Sequence, residues 1–96
     1  MKLSNLNRIV LFNIAGASYN YLAQDLDGTI KAYTSKPLHD EYDWYPNYLQ
    51  SGSKEFTFNR AELAKAGATE VDISAYYASH IRIPAWKMEV YKRGEE

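Results

Sequence analysis

The sequence has no cysteine. That excludes disulfide frameworks, thiolate zinc sites and cysteine nucleophiles, and it suits a reducing compartment, so a cytoplasmic location is expected. It also lacks a charge of one dominant sign: 11 basic and 12 acidic residues leave a formal net charge of -1. The two halves are equally balanced, so no global field draws the chain to nucleic acid or to an anionic membrane. Long hydrophobic runs are absent as well. The apolar stretch Ile9 to Ile14 is broken by Asn13 and is too short for a membrane span. Phosphate-cradling glycine loops and a serine-hydrolase elbow are missing, which removes the nucleotide-binding and hydrolase motifs.

What remains is a chain of 96 residues with 46% hydrophobic and 24% charged residues, the composition of one globular domain covering residues 1–96. Its excess is aromatic, with 9 tyrosines in a 15% aromatic share. Tyrosine combines an apolar ring with a hydroxyl, so it serves half-buried sheet faces and binding surfaces alike.

Residues 8–14, Arg-Ile-Val-Leu-Phe-Asn-Ile, read as a buried strand ended by Gly16. A helix capped by Ser4, with Leu6, Ile9, Val10 and Ile14 on one face, fits the same residues, and periodicity does not decide between them. Next, Asp25-Leu26-Asp27-Gly28 between the alternating segments 19–24 and 29–34 predicts a β-hairpin. A loop of two or four residues would put Tyr19, Tyr21 and Ala23 on one face with Ile30 and Ala32. Pro37 should end the second strand.

The stretch 37–52 shows no sustained period and is expected to be an ordered loop. A short strand follows at 54–58 with Phe56 and Phe58 on one side, then a short helix with Asn59 as N-cap, Glu62 as its capping-box partner and Gly67 as its stop. Residues 69–80 lean towards a second helical segment. Alternation of Trp86, Met88 and Val90 predicts a last strand, with residues 92–96 frayed. The expected fold is α+β, a small antiparallel sheet of four or five strands with one or two short helices packed on it.

Candidate chemistry is sparse, and neither a metal site nor a bound cofactor is expected. Asp25 and Asp27 before Gly28 resemble part of a calcium loop, but Ala23 and Thr34 fall where key oxygen ligands belong, so a plain turn is the better account. His39 with Asp40, Glu41 and Asp43 could form a carboxylate and imidazole site, although a solvated acidic loop explains the same residues. Tyr19, Tyr21 and Tyr33 could stack the bases of a single strand, yet only Lys31 and Lys36 accompany them and Asp25, Asp27 and Asp40 offset that charge.

The segment singled out is 40–48, where Asp40, Glu41 and Asp43 interleave with Tyr42, Trp44, Tyr45 and Tyr48. Trp and Tyr are enriched at interface hot spots, and local negative charge favours a basic partner surface. With Asp27 from the hairpin tip, these residues form the expected partner-binding set. Trp44 and one or two tyrosines turning inward over a small core is the competing account.

The stretch from Tyr21 to Trp44, with its Asp-Leu-Asp-Gly turn, Thr29-Ile30-Lys31-Ala32-Tyr33, Lys36-Pro37 and following Trp, resembles small accessory proteins encoded by bacteriophages. The resemblance covers about a quarter of the chain and carries no site residues. It implies a non-catalytic module that binds and inhibits a host protein, including one of a defence system. Homo-oligomerisation is a further expectation, because strand edges and aromatic patches also serve symmetric dimers.

Overall fold

The computed structural model describes residues 4–25, 29–40, 43–67 and 90–94. The chain is α+β: the described residues form a four-stranded antiparallel sheet, a separate two-stranded ribbon and two helices. Among the described residues no helix is long and apolar enough to cross a membrane.

Residues read first as a strand form helix α1 (Asn5–Ala15) instead. The reason is local. Ser4 Oγ accepts the Asn7 N–H at 3.1 Å and Asn7 Oδ1 accepts the Ser4 N–H at 3.3 Å, a reciprocal cap that satisfies two orphan donors of the first turn. The expected face is met only in part, since Val10 and Ile14 pack against the core. Leu11 and Phe12 are buried, whereas Leu6 (69%) and Ile9 (44%) face solvent.

Strand β1 (Tyr21–Gln24) pairs with β2 (Ile30–Tyr33), confirming the antiparallel pair but correcting its register. Gln24 stands opposite Ile30 and the Asp25 N–H donates to Thr29 O at 2.9 Å, leaving three residues between the strands. An odd loop inverts the parity that a two- or four-residue loop would give. Tyr21 and Ala23 therefore share a face with Lys31 and Tyr33, while Leu22 and Gln24 share the other with Ile30 and Ala32. The turn residues 26–28, Asp27 among them, lie outside the described residues.

Strand β3 (Leu38–His39) and strand β4 (Trp44–Tyr45) form the ribbon inside the stretch expected to be loop. Two residues per strand are too few to leave an alternation in the sequence. Strand β5 (Glu55–Thr57) flanks β2, and helix α2 (Arg60–Lys65) follows with the expected Asn59 and Glu62 capping box. Gly67 closes it at φ +70°, which a Cβ-bearing residue rarely adopts. Strand β6 (Tyr91–Lys92) pairs with β1, giving the sheet order β5-β2-β1-β6. The expected helical segment 69–80 and most of the expected strand 86–90 lie outside the described residues.

The sheet separates two cores. On one face Leu22, Ile30 and Ala32 pack with Leu11 and Phe12 of α1 and with Phe58, Leu63 and Ala66. Phe56 and Phe58 do share a side, with ring centroids 5.2 Å apart. On the other face Ala23 and Tyr33 are covered by Trp44 from the ribbon. Full burial of a side chain such as Leu11 or Phe12 contributes roughly 1.5–3 kcal/mol.

The carboxyl end is tied down rather than frayed at residues 92–94. The Arg93 N–H donates to Asn20 O at 2.7 Å, and its guanidinium donates to Tyr19 O, Phe12 O and Gly16 O at 2.6–3.1 Å. It also lies 4.7 Å over the Phe12 ring. At the end of α1 this cation adds a second, charged donor to the Phe12 and Gly16 carbonyls, which already accept the Gly16 and Tyr19 N–H groups, and it complements the negative end of the helix dipole.

Candidate partner-binding site

The ribbon is fixed to the sheet by a buried ion pair. Asp25 continues β1 onto the Trp44 face, where its Oδ2 lies 2.8 Å from Lys31 Nζ and its Oδ1 accepts the Trp44 N–H at 2.8 Å. Lys31 Nζ also donates to Trp44 O at 3.3 Å, so both backbone groups of Trp44 are held from the sheet. The Asp25 side chain is 5% exposed and the Lys31 side chain 15%.

These charges shape the titration of the site. Burial raises the Asp25 carboxyl, outweighing the hydrogen bonds from Lys31 and Trp44. Burial alone would lower Lys31, but the hydrogen bond and charge of Asp25, with Glu55 and Asp43, hold it above its ordinary value. Burial, reinforced by Asp25, Glu55 and Asp43, pushes the Tyr33 phenol well above the usual tyrosine range. The Tyr33 hydroxyl and the Trp44 indole N–H are buried without a hydrogen-bond partner among the described residues.

Over this foundation lies an open cleft of about 540 Å³, walled by Asp40, Asp43, Tyr45, Tyr48 and Glu55 with Lys31 and Trp44 beneath. Asp40 shapes the ribbon turn: its Oδ1 accepts the Asp43 N–H at 2.7 Å and its own N–H donates to Asp43 O at 3.0 Å. Tyr45 and Tyr48 stack face to face, with ring centroids 5.3 Å apart and planes 7° from parallel. Tyr48 is 73% exposed and Leu49 90%. Lys31 is the one cation among the described lining residues, and it is already engaged by Asp25 and, at 3.8 Å, by Glu55. The cleft is therefore net negative.

Comparison with protein-family models, curated proteins and solved structures finds no match for this chain. Its chemistry rests on the geometry alone.

Of the expected partner-binding residues, the fold gathers Asp40, Asp43, Trp44, Tyr45 and Tyr48 around this one cleft. Glu41, Tyr42 and Asp27 lie outside the described residues. Trp44 turns inward, as the competing account expects, and is 5% exposed against Ala23 and Tyr33. Sequence reasoning missed Lys31 and Glu55 as parts of the site, and it read Asp25 only as a turn residue. The inverted register explains the first and last of these, because it alone puts Lys31 and Asp25 beneath the ribbon.

The two rival chemistries fare differently. A base-stacking sheet needs exposed rings, but Tyr33 is fully buried and Tyr19 packs edge-on against Phe56 at 6.0 Å. His39 sets its ring edge-on to Trp44 at 5.0 Å and does not line the cleft of Asp40 and Asp43. His39 does not line the second depression, at Lys36, Lys92 and Arg93, either.

Proposed function

We propose that the chain is a non-catalytic protein-binding module whose acidic, tyrosine-walled cleft receives a basic segment of a partner. The observation that carries this reading is the Tyr45–Tyr48 stack, with the Tyr48 ring exposed, in a cleft lined by the carboxylates Asp40, Asp43 and Glu55 against the single cation Lys31 among its described residues. Rigid aromatic faces give contact area at low entropic cost, and Arg or Lys is attracted both to such faces and to carboxylates. Leu49, next to Tyr48 in the sequence, is an exposed apolar side chain. Trp44 contributes from below by holding the ribbon against the sheet. The bacteriophage resemblance favours a host protein as the partner and inhibition as the outcome.

Affinity capture from bacterial lysate with nuclease, comparing wild type with Tyr45→Ala/Tyr48→Ala, tests the reading. A stoichiometric protein retained by wild type and lost from the folded double variant supports it. Equal retention by both removes the cleft as the site, and recovery of nucleic acid alone, or of nothing beyond the chain's own oligomer by native mass, overturns the module.

A further inference from the structure

A second depression, of about 380 Å³, opens where β1 begins and β2 ends. Its charge is opposite to that of the first. Lys36, Lys92 and Arg93 line it, and no carboxylate does so among the described residues. A chain with net charge -1 thus segregates its charges into two clefts, one acidic and one basic.

Backbone pairing builds this basic cleft from three distant parts of the sequence. Tyr21 stands opposite Lys92, the Arg93 N–H donates to Asn20 O at 2.7 Å, and the Asn20 N–H donates to Tyr33 O at 2.9 Å, just before Lys36 leaves the strand end. The Arg93 guanidinium is held by acceptors for Nε and Nη2 in the Tyr19, Phe12 and Gly16 carbonyls, and among the described residues its Nη1 takes no acceptor. Among the described residues neither Lys36 nor Lys92 has a carboxylate in ion-pair contact. Thr34 Oγ1 accepts the Lys54 N–H at 2.9 Å, which leaves its hydroxyl proton for a further acceptor.

We propose that this cleft binds the phosphoryl group of a small organic phosphate. Three cations of one sign repel one another, and a compact dianion with several acceptor oxygens relieves that repulsion while meeting a guanidinium edge and two ammonium groups. The volume lies within the roughly 300–1,000 Å³ of small-molecule sites, enough for a nucleoside monophosphate or sugar phosphate. The inference is independent of the acidic cleft.

The test is calorimetric titration of the full chain at constant ionic strength with adenosine 5′-monophosphate, glucose 6-phosphate, inorganic phosphate and adenosine, for wild type and for Lys36→Ala/Lys92→Ala. The expected result is saturable binding of the phosphates and none of adenosine, with affinity at least tenfold weaker in the variant. Both lysines are exposed, so the variant should fold, which circular dichroism checks, and Lys36→Glu/Lys92→Glu should abolish binding altogether. Binding unchanged in both variants, a response reproduced by sodium chloride, or no saturation by any phosphate overturns the proposal. If glucose 6-phosphate and the nucleotide bind alike, the phosphoryl group alone is recognised; preference for one identifies the remainder of the ligand.

Discussion

Asp25 and Lys31 meet at 2.8 Å beneath Trp44, and between them they hold both the N–H and the C=O of that residue. One ion pair therefore joins the hairpin of the sheet to the ribbon that carries the acidic cleft. Breaking a buried pair by removing one partner leaves the other charge uncompensated, at a cost of about 3–5 kcal/mol. Here Lys31 keeps some solvent and a second carboxylate, Glu55, at 3.8 Å. Asp25→Ala should accordingly destabilise by about 2–3 kcal/mol in urea unfolding. Adding Lys31→Met should restore part of that, because no unpaired ammonium remains.

The same pair makes stability depend on pH at both extremes. Lys31 is raised above 10.5, so its contribution is complete below that pH and is lost as pH rises through the folded value. Asp25 is raised above 3.8 by burial, so the folded state holds its proton more tightly than the unfolded chain does. Its titration therefore favours folding most below pH 3.8, and that advantage falls as pH rises through the folded value. Unfolding free energies of wild type and Asp25→Asn, measured in parallel steps above pH 3.8, should differ by an amount that shifts against wild type as pH rises. A shift in favour of wild type over that interval contradicts the raised carboxyl.

Tyr33 offers a simpler test. Its hydroxyl is buried without a partner among the described residues, and an orphaned polar group costs about 1–3 kcal/mol. Tyr33→Phe removes the hydroxyl and keeps the ring that packs against Ala23 and Trp44. It should raise stability by about 1 kcal/mol in chemical denaturation. A loss of similar size means that the hydroxyl has a partner in solution.

How much of this was legible in the sequence depends on the range of the interaction concerned. The Asn59–Glu62 capping box spans three residues, and it was read correctly because its residues identify themselves. The α1 cap was visible at Ser4, but its partner is Asn7 rather than the usual Glu or Gln, and the β-branched run beyond it favoured a strand. Hairpin parity turned on one residue of loop length, which Asp27-Gly28 alone does not fix. Trp44 was found as a key residue, yet its burial depends on Asp25 and Lys31, whose orientation follows from that same parity. The basic cleft had no local signature, since Lys36, Lys92 and Arg93 come together only through the pairing of β1 with β2 and β6.

Arg93 should be a stability determinant although it lies only three residues before Glu96. Hydrogen bonds from a charged donor contribute about 1.5–3 kcal/mol, and stacking over Phe12 adds to them. Arg93→Ala is expected to destabilise by about 2–3 kcal/mol in thermal or urea unfolding. Arg93→Lys should recover less than half, because an ammonium cannot fork between the Tyr19 and Gly16 carbonyls while covering the ring.

Trp44 and Tyr48 separate folding from binding within one loop. Trp44 is buried against Ala23 and Tyr33, so Trp44→Ala leaves a cavity and should cost about 3–5 kcal/mol, with loss of the near-ultraviolet circular dichroism of the ribbon side. Tyr48 is largely exposed, and its main contact is the stack on Tyr45. Tyr48→Ala should change stability by less than about 1 kcal/mol while weakening partner capture by tenfold or more. If Tyr48→Ala captures normally and Trp44→Ala loses capture only in proportion to its unfolded fraction, the cleft has no binding role of its own.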